Sequence, residues 1–231
     1  MEKLKIATTS FIWPDSRIYN VKKLKKYVDE VELLYFESKN KDSQPSYKEI
    51  AVFKETNLVY SVHLPTDIDY KKVDCFEKLH NFISAFNEVN ISYFILHLPY
   101  IREFVEKIHL LEKSYNVKIL VENTQGNANI VEECINYGID ICLDIGHLLA
   151  KNSNYDIMNI IEKYKKHIKY LHIHGVKKEN SAETARDHSS LKYIDRYLLN
   201  YIKDFAKKYG IVFCIEVFNK DDLFESLEII K

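Results

Sequence analysis

Eight times along this chain a short run dense in Ile, Val, Leu, Phe and Tyr gives way to a longer stretch with helical spacing, and that alternation leaves few folds open. The runs fall at residues 4–10, 31–37, 58–65, 92–99, 117–124, 140–147, 168–176 and 211–218. Their apolar density is that of strands covered on both faces. Between them lie amphipathic stretches such as residues 75–90, 101–115, 155–167 and 191–209. In the last of these, Leu191, Ile194, Leu198, Tyr201, Ile202 and Phe205 share one helical face. Gly138 and Gly210 stand where helices should stop.

Strict alternation of strand and helix predicts a parallel sheet, either closed or doubly wound. Eight units favour the closed form, an α/β fold built as a single (β/α)₈ TIM barrel. No Ser/Gly/Pro-rich linker interrupts the chain, and 231 residues suit one domain spanning 1–231. The 33 Lys and Arg against 34 Asp and Glu leave a net charge of −1, without the basic excess of a phosphate-gripping protein. That balance weighs against nucleic acid and for a small-molecule substrate. No apolar run reaches the ~20 residues of a membrane span. The first residues lead into a strand without a signal-peptide core. Cys75, Cys134, Cys142 and Cys214 are scattered with no CxxC pair, as expected of reduced thiols in a cytoplasm.

Ionisable residues recur at matching places. The third strand ends Ser61-Val62-His63-Leu64-Pro65 and the fourth Ile95-Leu96-His97-Leu98-Pro99. The fifth ends Leu120-Val121-Glu122-Asn123-Thr124 and the sixth Cys142-Leu143-Asp144-Ile145-Gly146-His147. The seventh reads Leu171-His172-Ile173-His174-Gly175 and the eighth Cys214-Ile215-Glu216-Val217-Phe218. In a barrel these C-terminal strand ends surround one mouth, where active sites are built. Period two puts His172 with His174, and Cys214 with Glu216, on common faces. Any one of these groups reads more readily as a hydrogen-bonded structural residue or an ion-pair partner. Six on six strand ends read as a shared metal site, because imidazoles mixed with carboxylates suit borderline divalent ions such as Zn²⁺ or Mn²⁺. Glu37 has a similar placement, which capping or ion pairing explains equally well. Cys142 and Cys214 read as small core residues, not ligands.

With these residues in hand, the chain resembles the xylose isomerase-like barrel superfamily, which includes sugar isomerases, epimerases and endonuclease IV-type apurinic endonucleases. The resemblance spans nearly the whole chain and is strongest at Val121-Glu122-Asn123-Thr124, Asp144-Ile145-Gly146-His147, Leu171-His172-Ile173 and Ile215-Glu216. It implies Glu122, Asp144, His172 and Glu216 as the shared ligand set. It implies His63 and His97, with Glu122 as bridge, as ligands of a second ion. His147 resembles the histidine supporting a third ion, whose partners come from an Asp-x-His element. Here Arg186-Asp187-His188 is one residue too short, so that His188 or His174 completes the site, or the third ion is absent.

A narrower resemblance, to cobamide-remodelling phosphodiesterases, rests on three strings. They are His172-Ile173-His174-Gly175-Val176, Arg186-Asp187-His188-Ser189-Ser190-Leu191, and Ser61-Val62-His63-Leu64-Pro65-Thr66-Asp67. It implies hydrolysis of the nucleotide-loop phosphodiester of a corrinoid to give cobinamide. Two or three divalent ions, zinc or manganese, suit that reaction by activating water and steadying the phosphoryl and leaving oxygens. Arg186, or Arg102 after the fourth strand, is the candidate grip on the phosphate. A one-metal sugar isomerase or epimerase, with a sugar phosphate as substrate and Glu122 and Glu216 moving a proton, is the competing expectation. It leaves His63 and His97 idle. An apurinic endonuclease and a non-catalytic ligand-binding barrel rank lower.

Overall fold

The computed structural model describes residues 3–40, 43–125, 127, 129–149, 152–178 and 185–231. Eight strands close into a barrel: β1 (Ile6–Thr9), β2 (Glu30–Leu34), β3 (Val59–His63), β4 (Ile91–His97), β5 (Ile119–Glu122), β6 (Ile141–Asp144), β7 (Ile168–Ile173) and, last in the ring, β10 (Val212–Ile215). All neighbouring pairs are parallel, and β1 pairs with both β2 and β10. Helices α1 (Arg17–Leu24), α2 (Tyr47–Glu55), α3 (Cys75–Ser84), α4 (Val105–Tyr115), α5 (Ile130–Asn136), α7 (Asn154–Tyr164), α8 (Arg196–Tyr209) and α9 (Lys220–Ile230) alternate with them. The expected (β/α)₈ TIM barrel is the observed fold. No helix among the described residues is long and apolar enough to cross a membrane.

Alternation along each strand divides the side chains into two cores. Val62, Phe94, Leu96, Val121, Leu143, Leu171, Phe213 and Ile215 join the large core shared with the helices. Ala7, Ile95, Leu120, Cys142, Tyr170, Val212 and Cys214 fill the barrel interior. Two residues beyond the interior set come His97, Glu122, Asp144, His172 and Glu216, so the same parity that packs the barrel delivers the ionisable groups to its mouth.

Several expected boundaries shift, for local reasons. The sixth run stops as a strand at Asp144, because its carboxylate Oδ1 accepts from the His147 backbone N–H at 2.7 Å and starts the short helix α6 (Ile145–Leu149). The seventh run breaks at His174, after which β8 (Gly175–Lys178) leaves the barrel and pairs antiparallel with β9 (Ala185–Ser189). Of the stretch 191–209 only the part from Arg196 is α-helical. Asp195 caps that helix by accepting from Leu198 N–H, while Leu191–Tyr193 form a separate 3₁₀ turn. Gly138 and Gly210 do adopt left-handed φ values of 71° and 65° at helix ends.

The β1–α1 loop at the mouth hangs on one side chain. Asn20, buried in α1, accepts from the N–H groups of Ile12 and Trp13 at 2.9 Å each and donates to the Trp13 carbonyl at 3.1 Å. Replacing Asn20 by Ala strands these backbone groups, and each buried orphan costs ~1–3 kcal/mol. We expect Asn20→Ala to lower unfolding free energy by about 3 kcal/mol in urea titration.

Candidate metal centre

At the mouth the Glu122 carboxylate is the common point. His63 Nε2 and His97 Nε2 approach its Oε2 at 3.2 and 3.1 Å. His172 Nδ1 approaches its Oε1 at 3.0 Å and lies 3.6 Å from Glu216 Oε2 and 4.0 Å from Asp144 Oδ2. The His63 ring is oriented from behind, its Nδ1 lying 3.0 Å from the Leu64 carbonyl. A third group adjoins these. His174 places Nε2 3.3 Å from Asp144 Oδ1 and Nδ1 2.9 Å from Asp187 Oδ1. His147 puts Nε2 4.0 Å from Asp187 Oδ2, its Nδ1 being 2.9 Å from the Asn123 carbonyl. His188 stacks on His174 with ring centroids 4.1 Å apart.

The expected donors fall into three sets: His63, His97 and Glu122; Glu122, Asp144, His172 and Glu216; His147, His174, Asp187 and His188. Beside them stand two further groups that include a buried thiol, Glu32 with His172 and Cys214, and Glu122 with Cys142 and His172. Within each set one donor atom per residue lies within 4.8 Å of every other. Whether an ion fits can be asked of the atoms themselves. Glu122 Oε2, Asp144 Oδ2, Glu216 Oε2, His97 Nε2, His172 Nδ1 and His174 Nε2 are all buried without a hydrogen-bond partner. Buried polar atoms are nearly always satisfied, and these six converge. A divalent cation is what oxygen and imidazole lone pairs in this arrangement would satisfy.

Electrostatics shows the strain of that crowd. Burial drives the Glu216 carboxyl well up, and the neighbouring Glu122 and Asp144 charges add to it. Glu122 is held well below the usual range because, against burial, the charges of His172 and His97 win. Burial likewise opposes charge on His63, but the adjacent Glu122 carboxylate pushes it up to about 9. His188 goes the other way, down to about 4, through burial and the charge of His174.

Two backbone features hold the third set. A Cβ on Gly146 would lie 2.0 Å from His174 Cε1, so only glycine lets that ring lie against α6. His188 has φ 49°, a left-handed conformation costly for a residue with a Cβ. That twist brings adjacent Asp187 and His188 toward one set although no residue separates them. Asn123 ties β5 to β6, its Oδ1 accepting from Asp144 N–H at 2.8 Å and its Nδ2 donating to the Asp144 carbonyl at 2.9 Å.

All ten residues expected as ligands therefore gather at the mouth. Arg186 lies elsewhere: its side chain is 53% exposed and donates to Asp222 at 2.9 Å. Arg102 is exposed in the turn before α4, and Glu37 is exposed beyond the end of β2. Cys142 and Cys214 are buried in the barrel interior, where burial drives both thiols well up and keeps them protonated. Beside His97 opens a cleft of about 380 Å³ lined by Thr66, Lys71, Tyr100 and Asn127 among others.

Sequence reasoning missed Glu32. It is fully buried and receives a 2.7 Å hydrogen bond from His172 Nε2. The available signal was an acidic residue inside the otherwise apolar run Val31-Glu32-Leu33-Leu34.

Fold and site together define a (β/α)₈ barrel with a candidate divalent-metal centre at the C-terminal strand ends. No protein-family model matches the chain, and no curated protein matches it by sequence. Solved structures do. Endonuclease IV from Thermus thermophilus superposes with a TM-score of 0.71 at 14% identity, covering 98% of this chain and 97% of that one. A D-tagatose 3-epimerase-like protein gives 0.67 at 19% identity, covering 98% and 96%. The IolI protein, solved with a bound zinc atom, gives 0.68 at 13% identity, covering 98% and 94%. At these identities the likeness shows the fold alone, a (β/α)₈ barrel.

Two outcomes follow from the geometry. Gly146→Ala should displace the His174 ring in a crystal structure and cost ~1–3 kcal/mol in denaturant unfolding, the usual range for overpacking. In chelator-treated protein the raised value at His63 contributes stability that is complete below pH 6.5 and lost as pH rises through about 9. The melting temperature in chelator should fall across that window, and His63→Gln should flatten the fall.

Proposed function

We propose that this protein is a metal-dependent enzyme that hydrolyses a phosphodiester in a small nucleotide-bearing molecule, with a cobamide as the favoured substrate. The observation carrying the hydrolase reading is the approach of His63 and His97 to Glu122 at 3.2 and 3.1 Å, which adds a second donor set to the one around His172. His63, His97 and Glu122 would hold one ion, and Glu122, Asp144, His172 and Glu216 the other. His147, His174, Asp187 and His188 offer a place for a third. Their mixture of imidazole and carboxylate suits zinc or manganese. When bound, paired divalent ions supply Lewis acidity at the phosphoryl group and acidify water.

The chain's own groups do the rest. Glu122 holds the two donor sets at a fixed spacing. Glu216, whose ionisation burial opposes, would stay charged as a ligand through the cation held with Glu122, Asp144 and His172. The cleft beside His97 receives the substrate, with Lys71 as a cation on its wall. Arg186 grips a phosphate only after leaving Asp222. The choice of a corrinoid rests on the strings His172–Val176, Arg186–Leu191 and Ser61–Asp67 described above. Four free, buried cysteines accord with a reducing cytoplasm.

A sugar isomerase or epimerase is the second reading, supported by the epimerase-like neighbour and by the complete set Glu122, Asp144, His172 and Glu216. It uses one ion and assigns no work to His63 or His97.

Elemental analysis of purified protein should find at least two divalent ions per chain, with Glu122→Gln losing the most because both sets share it. Incubation with cobamides, abasic DNA and ketose sugars, read by mass spectrometry, should release cobinamide in a chelator-sensitive way. His63→Ala with His97→Ala should lower hydrolysis by more than ~100-fold, beyond the cost of losing an outer-shell partner. Epimerised ketose with every phosphodiester intact would install the second reading.

A further inference from the structure

We infer that Glu32 is a positioning residue that fixes the tautomer and angle of His172, so that His172 meets a divalent cation through Nδ1. The assignment rests on the metal reading of the site, though not on which reaction it runs. Three observations carry it. Glu32 and His172 are both 0% exposed, on strands β2 and β7 that do not adjoin in the barrel, so this hydrogen bond crosses the interior. The 2.7 Å contact is made by Nε2, while Nδ1 faces Glu122, Glu216 and Asp144. His172 Nδ1 is itself buried without a hydrogen-bond partner, as a nitrogen reserved for another ligand would be.

The chemistry follows from the two nitrogens of one ring. Neutral imidazole carries its proton on either nitrogen, and in isolation neither is strongly preferred. A carboxylate at Nε2 can only accept, so it selects the Nε2–H form and leaves the Nδ1 lone pair for the cation. Without Glu32, the short approach of Nδ1 to the Glu122 carboxylate would select the opposite form, with the proton where the cation belongs. Glu32 also adds negative charge behind the ring, which makes Nδ1 a better donor. The surrounding barrel keeps Glu32 in place: Leu33 on one side of it is fully buried in the outer core, and Val31 on the other likewise.

Glu32→Gln retains an oxygen that accepts from Nε2–H, whereas Glu32→Leu removes the acceptor. With Zn²⁺ or Co²⁺ alone as probe and a chelator in competition, Glu32→Leu should bind ~10–100-fold more weakly, the range typical of lost outer-shell partners. Glu32→Gln should recover most of that loss. Co²⁺-loaded wild type and Glu32→Gln should share a visible absorption spectrum from which Glu32→Leu departs. Long-range ¹⁵N–¹H spectra of Zn²⁺-loaded wild type should show His172 protonated at Nε2, a reading available even if Glu32→Leu does not fold. Protonation at Nδ1, equal affinities in all three proteins, or Glu32→Gln failing as badly as Glu32→Leu would overturn the positioning role. Wild type that binds neither ion would overturn the metal reading together with it. Cation binding with these signatures but no phosphodiester hydrolysis would remove only the proposed reaction and leave Glu32 in its role.

Discussion

The interior of an eight-stranded barrel admits one side chain from every second residue of each strand, and those side chains stack in layers. Depth in the barrel is therefore set by position in the strand. On each strand His97, Glu122, Asp144, His172 and Glu216 stand two residues further toward the mouth than the interior side chains Ile95, Leu120, Cys142, Tyr170 and Cys214. The ladder registers align His97 with Glu122 and Asp144 with His172, and step by one inward-facing position between these pairs, where Glu122 aligns with Cys142 and His172 with Cys214. Nothing about the metal centre needs a loop to find its place, apart from the third set. Rigid strand ends are the precise support that a constellation of ligands requires.

This is also why so much was legible in the sequence. The inward parity of a strand and the end of its apolar run are local properties, and eight repeats of them specify a barrel. His63, His97, Glu122, Asp144, His172 and Glu216 could be found by reading strand ends alone. Glu32 could not, because it lies within its strand and acts across the barrel on a ring 140 residues away. Arg186 was misleading for a related reason. Neighbouring residues on a strand face opposite ways, so a string containing Asp187 at the mouth also contains a side chain turned toward Asp222 on α9. The early end of β6 was hidden because it depends on the Asp144 carboxylate capturing a backbone N–H three residues on.

The third donor set shows how a shortened motif can keep its geometry. With Asp187 and His188 adjacent, extended backbone would point them apart. A left-handed φ at His188 turns the chain instead, and the cost of that conformation is offset by His174 stacking and by the contact of His188 Nδ1 with the Glu216 carbonyl at 3.2 Å. His174 then enters as a donor that the spacing alone left undecided, and Gly146 makes room for it. Both candidates for completing the set are present in it.

Charge balance bears on how many ions such a mouth takes. Glu32, Glu122, Asp144 and Glu216 are four carboxylates in a space with almost no access to water. Isolated buried charge costs several kcal/mol per group even after relaxation, so the ionised forms require compensation at close range. A single divalent ion offsets half of their formal charge. The remainder must then be met by protons, on Glu216 or on imidazoles that are thereby lost as ligands. Two divalent ions offset all four and leave His63, His97 and His172 neutral, free to donate their lone pairs. The one-ion epimerase reading thus asks the site to keep protons on the very groups that a hydrolase uses to hold its second ion. Under the proposed hydrolase reading, the orphaned lone pairs of His97 and Glu122 are those a second ion would satisfy.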